Sequence, residues 1–135
     1  MQTYMQPNQK NYWTALIIAS CGGHVEVVRA LLAAGAGVEA ANDSGWTPLL
    51  FASYRGRVDV VRALLDAGAS VNVMTSSMTA LMWASSSGHV DVVRALLAAG
   101  ANKHLIGIQG HTAHSLASGT PAWTAAIRAL LDLAP

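Results

Sequence analysis

Thr47-Pro48-Leu49 opens a block that runs on through Gly56-Arg57-Val58-Asp59-Val60-Val61-Arg62-Ala63-Leu64-Leu65 and closes on Gly68-Ala69. The same pattern stands on both sides of it. Thr14-Ala15-Leu16, Gly23-His24-Val25-Glu26-Val27-Val28-Arg29-Ala30-Leu31-Leu32 and Gly35-Ala36 precede it. Thr79-Ala80-Leu81, Gly88-His89-Val90-Asp91-Val92-Val93-Arg94-Ala95-Leu96-Leu97 and Gly100-Ala101 follow it. Thr14 and Thr47 are 33 residues apart, Thr47 and Thr79 are 32 apart, and Thr79 and Thr112 are again 33 apart. A period in this range marks a solenoid, in which each block buries its apolar face against the next.

Composition agrees. The chain has 135 residues, 53% hydrophobic and 11% charged, so it reads as one folded domain rather than a disordered segment. No stretch of 18 apolar residues is continuous enough to span a bilayer. The apolar excess suits helices wedged between neighbours, which keep little polar face. Net charge is +1 with the signs interspersed and no Lys/Arg cluster, so neither a nucleic-acid footprint nor a membrane surface is expected. The single cysteine excludes an internal disulfide and leans towards an intracellular, reducing compartment. Ile18-Ala19-Ser20-Cys21 resembles a lipoprotein processing box. Ala19, however, is in register with Ala52, Ala84 and Ala117, and cleavage at Cys21 would delete a helix of the repeat, so a helical reading is preferred.

Each block predicts two short helices. The Thr hydroxyl is placed to cap the first, and Pro48 sits at a first helical position where its missing N–H costs nothing. Gly23, Gly56 and Gly88 end that helix by taking the left-handed conformation. The second helix carries Val60, Val61, Leu64 and Leu65 at helical spacing and ends at Gly68. Helices of about ten residues are unstable alone in water, so stability must come from stacking. The recurrent Ala19, Ala52, Ala84 and Ala117 let the two helices of a block approach closely.

These residues resemble the ankyrin repeat. The resemblance is carried by Thr47-Pro48-Leu49 with Ala52, by Gly88-His89 with Val92-Val93, and by Leu64-Leu65 with Gly68-Ala69. It covers about residues 9 to 134, as repeats at 9–41, 42–74, 75–106 and 107–134 behind a tail at 1–8. It implies an all-α solenoid of about four helix pairs with short β-hairpin loops. It also implies a non-catalytic module that binds another protein through hairpin tips and the concave face of the first helices. No cofactor or metal is expected, and a monomer is expected with weak self-association through uncapped ends. The competing reading is a chain that stacks end to end, or a fragment of a longer array.

Departures from the repeat are informative. Ile17, Leu50, Met82 and Ser115 stand where the family has His. The hairpin before Thr79 is one residue short and has Thr75-Ser76-Ser77 in place of Asp43-Ser44-Gly45, so a distorted tip is expected. The last block carries His114 where Leu16, Leu49 and Leu81 sit, and an extra residue around Gly119-Thr120-Pro121.

Candidate binding residues fall at variable slots. Trp13, Trp46, Met78 and His111 precede the cap Thr at the hairpin base, where half-exposed amphipathic side chains would serve as anchors or would simply pack on the next hairpin. Tyr54 and Arg55 end the first helix of the second block, against Cys21-Gly22 and Ser86-Ser87 in its neighbours, which suggests a protrusion beside a pocket. Trp46, Tyr54 and Arg55 are the expected centre, with Met78, Ser86, Ser87, Trp13 and His111 around it. Arg29, Arg62, Arg94 and Arg128 form a column on the second helices; Glu26, Asp59 and Asp91 precede the first three by three residues, and the column reads as a solvated face. His104, His111 and His114 lack neighbouring Cys or carboxylate in sequence, and a metal site there is not favoured.

Overall fold

Four threonine hydroxyls start the four inner helices. The computed structural model describes residues 14–117 and 121–133. Within them Thr14, Thr47, Thr79 and Thr112 each accept a hydrogen bond from the backbone N–H three residues on, at 3.1, 3.3, 3.2 and 3.2 Å. Helix α1 (Ala15–Gly22), α3 (Pro48–Arg55), α5 (Ala80–Ser87) and α7 (Ala113–Leu116) follow from these caps. The first three end on Gly23, Gly56 and Gly88 in the left-handed conformation, with φ of 76°, 74° and 79°. The outer helices are α2 (Val25–Ala33), α4 (Val58–Asp66), α6 (Val90–Ala98) and α8 (Pro121–Leu133). The fold is an all-α stack of helix pairs, as the repeat pattern implied.

Packing makes two layers. Each inner helix contacts the next inner helix and its own outer partner, and outer helices contact outer helices along the stack. The core runs between the layers through Leu16, Ile17, Val28, Leu49, Leu50, Val60, Val61, Leu64, Leu81, Met82, Val92, Val93, Leu96 and Ile127. Ala19, Ala52, Ala84 and Ala117 are buried to the last few per cent. Ile17, Leu50 and Met82, in the slot that the family often gives to His, are part of this core, so apolar contact replaces a side-chain hydrogen bond there. One residue after each of Ala19, Ala52 and Ala84 the chain buries a serine. Ser20, Ser53 and Ser85 are 0% exposed, and none of their hydroxyls has a hydrogen-bond partner among the described residues.

Neighbouring blocks are also stitched by polar links. Arg57 Nε donates to the Cys21 carbonyl at 3.1 Å, and the His89 ring nitrogen Nε2 donates to the Tyr54 carbonyl at 3.0 Å. Each side chain spans the gap to the last turn of the preceding inner helix. In the fourth block Trp123 takes that place and lies against Gly88, where an added Cβ would come within 2.3 Å of the indole. On the other side of the stack Glu39 accepts from Ser70 N–H and Asn72 from Asn102 N–H.

The connecting loops differ more than the helices. In the loop before α3, the Asn42 carboxamide oxygen accepts from the Ser44 and Trp46 N–H groups, both at 3.0 Å, and Gly45 takes a φ of 83°. The loop before α5 is a two-residue hairpin, with β1 (Met74–Thr75) antiparallel to β2 (Met78–Thr79). Ser76 and Ser77 both have positive φ, 51° and 59°, as a type I′ turn requires. Losing one residue therefore tightens this hairpin into a regular ladder, the only strand pair among the described residues, where a distorted tip was expected. The Thr75 hydroxyl donates to the Ser44 carbonyl, and Ile108 N–H donates to the Ser77 carbonyl, so successive loops are tied into a row. Residues 1–8, and the extra residue near Gly119 and Thr120, lie outside the described residues.

Candidate interaction face

The face of the inner helices beside the loop row carries an aromatic cluster. Trp46 is fixed at the base of its loop by the Asn42 turn, and its ring packs at 4.9 Å from Phe51, 5.9 Å from Tyr54 and 5.1 Å from Trp83, centroid to centroid. Tyr54 meets Trp83 edge-on at 5.2 Å. Such tilted and T-shaped contacts suit the ring quadrupoles. The cluster joins two blocks, because Phe51 and Tyr54 belong to α3 and Trp83 to α5. Trp46, Phe51 and Trp83 are half-buried and Tyr54 is 43% exposed. The Trp83 indole N–H is shielded from solvent and has no acceptor among the described residues.

Phe51 and Trp83 were not among the residues expected from sequence. They stand four positions after the capping Thr, in register with Ile18 and Leu116. The two apolar residues just before them in α3 and α5 are buried to 1 or 2%, whereas this slot looks outward, as Ile18 shows at 52% exposure. An apolar residue repeated in a helix whose core positions are already filled was the available signal.

Other expected residues divide. Arg55 is exposed at the end of α3, and no carboxylate or hydrogen-bond partner faces it among the described residues. Ser86 is exposed and Ser87 half-buried at the matching end of α5, with Cys21 and Gly22 at the end of α1. Tyr54 and Arg55 thus rise between two small neighbours. Met78 does not fit the expectation of a half-exposed anchor. It is 7% exposed, because the tight turn pairs it with Thr75 and folds its side chain into the core. His111 is half-buried, with Nδ1 at 3.1 Å from the Ser115 hydroxyl, and Ser115 completes a reciprocal cap with Thr112. Trp13 lies outside the described residues.

The outer face carries three ion pairs. Arg29, Arg62 and Arg94 pair with Glu26, Asp59 and Asp91 at 3.2, 3.8 and 3.1 Å, all solvent-exposed. A surface pocket of about 350 Å³ lies at the fourth block between Lys103, His104, Ile106, Thr112, His114, Leu131 and Asp132. Lys103 Nζ caps the Leu131 carbonyl, and His114 Nε2 stands 3.5 Å from Asp132. No group of three His, Cys, Asp or Glu is placed to hold a metal among the described residues. No helix among them is long and apolar enough to cross a membrane.

Comparison with known families agrees with this geometry. A family model described as ankyrin repeats (3 copies) matches residues 2–75, and one described as ankyrin repeat matches residues 77–108. No curated protein matches the chain.

Proposed function

Because the chain belongs to the ankyrin-repeat family, whose members are generally protein–protein interaction modules and typically non-catalytic, we propose that it binds another protein through the inner-helix face centred on Trp46, Tyr54 and Arg55. The observation that carries this reading is the aromatic cluster, which spans two blocks and leaves Tyr54 projecting next to Arg55, which is exposed and has no ion-pair partner among the described residues. Trp, Tyr and Arg are the residue types that dominate binding energy when they cluster at the centre of a contact. Phe51, Trp83, Ser86 and Ser87 complete the surface. The ion-paired outer face lacks any comparable feature, since exposed pairs of that kind contribute little.

End-to-end stacking of copies finds less support. Where Leu49 and Leu81 are buried by the next block, the last block presents exposed His114 and Ser115. Covering those polar groups would cost part of their desolvation.

Affinity capture tests the proposal. The wild-type chain, a Trp46→Ala/Tyr54→Ala/Arg55→Ala variant and an Arg29→Ala/Arg62→Ala/Arg94→Ala variant are compared, each checked for folding by circular dichroism. The first variant should lose the captured protein and the second should keep it. Equal capture by all three would place the binding surface elsewhere.

A further inference from the structure

The charge distribution over the inner helices narrows the kind of partner. The sequences of α1, α3, α5 and α7 contain no carboxylate, and Arg55 is their sole permanently charged residue. The acidic side chains on helices lie on the outer layer, at Glu26, Asp59, Asp66, Asp91 and Asp132, and the rest on loops, at Glu39 and Asp43. Of the other described cations, Arg29, Arg62 and Arg94 are engaged by carboxylates, Arg57 by the Cys21 carbonyl and Lys103 by the Leu131 carbonyl, while Arg128 lies exposed on the outer helix α8. Arg55 is the sole cation of the inner helices, and it directly follows Tyr54, whose ring packs on Trp46 and Trp83.

We infer that the inner face is complementary to a protein segment carrying an Asp or Glu beside a bulky apolar side chain. The carboxylate pairs with Arg55, and the apolar group lies on the Trp46–Phe51–Tyr54–Trp83 cluster. The inference rests on the proposed interaction face and adds the chemistry of what that face selects. A planar guanidinium favours a carboxylate in bidentate geometry. One arginine without a basic surround is not a phosphate-backbone footprint, so an acidic peptide is favoured over a nucleic acid.

The experiment is a selection of random phage-displayed peptides on the purified full chain, followed by affinity measurement on synthesised winners. Winners should combine Asp or Glu with Trp, Phe, Leu or Met. Arg55→Gln should weaken them about fivefold, as expected for losing a partly exposed ion pair. Arg55→Glu should weaken them further and recover binding when the peptide's acid is replaced by Lys. Tyr54→Ala, at an exposed position, should weaken acidic and charge-swapped peptides alike. Winners that need Tyr54 but show no acidic preference overturn the carboxylate inference while leaving the face in place. Winners indifferent to both Tyr54→Ala and Arg55→Glu overturn the face itself. Tighter binding of a mixed-sequence single-stranded oligonucleotide than of any peptide also overturns the inference.

Discussion

Replacing the buried serines Ser20, Ser53 and Ser85 together by Ala should stabilise the fold. Each is 0% exposed and its hydroxyl lacks a partner among the described residues. A polar group buried without its hydrogen bond costs about 1–3 kcal/mol, and Ala adds a few tenths, about 0.5 kcal/mol, in helix propensity. Against this stand the lost contacts of one oxygen, a handful of atom pairs at roughly 0.1–0.2 kcal/mol each. The balance is a gain of about 1 kcal/mol per site. The three serines sit on separate helices, α1, α3 and α5, and share no hydrogen bond, so the gains should add to about 3 kcal/mol. For a chain of this size that is a rise of roughly 10 °C in melting temperature. Thermal and urea unfolding followed by circular dichroism measures it, with each single variant giving about a third. A triple variant no more stable than wild type would refute the reasoning. It would mean that the hydroxyls are satisfied, by an ordered water or by the carbonyls of Leu16, Leu49 and Leu81 one turn back.

Three further outcomes follow from the same structure. Ser76→Asn with Ser77→Gly should raise stability by about 1–2 kcal/mol, since both positions have positive φ and Asn-Gly suits that turn; an unchanged urea midpoint would contradict a strained turn. Gly88→Ala should cost at least about 2 kcal/mol more than Gly100→Ala: both glycines are left-handed, but only at Gly88 does the new Cβ run into Trp123, so equal midpoints would show that the indole moves freely. Ala52→Leu should overpack the 0%-exposed site between α3 and its neighbours and lower stability by about 1–3 kcal/mol, and an unaltered melting temperature would refute close packing there.

The helices were legible because each is announced by residues whose job is local. A Thr that caps, a Pro at the first position and a Gly that reverses the chain can be recognised without knowing the neighbours, and all four caps form as read. The loops were harder, because deleting one residue changes turn type rather than merely shortening it. Register alone put Trp46 and Met78 in equivalent slots. Trp46 follows a longer Asn-cradled turn that leaves its ring beside Tyr54, whereas Met78 sits directly across from Thr75 and is drawn inward.

The aromatic cluster was only half legible for a related reason. Reading a repeat by columns compares Trp46 with Trp13 and Met78, and Tyr54 with Cys21 and Ser86. The contacts that matter run diagonally, from a loop base in one block to the fourth helical position of the next, as between Trp46 and Trp83. Columns report what each block needs in order to stack, so they are dominated by buried positions such as Leu49, Ala52 and Val61. Positions that face outward owe nothing to stacking and are free to differ, which is why a Tyr-Arg pair can stand between Cys-Gly and Ser-Ser without disturbing the helices that bear them. The freedom that lets Tyr54 and Arg55 differ from their counterparts is also what makes them available to a partner.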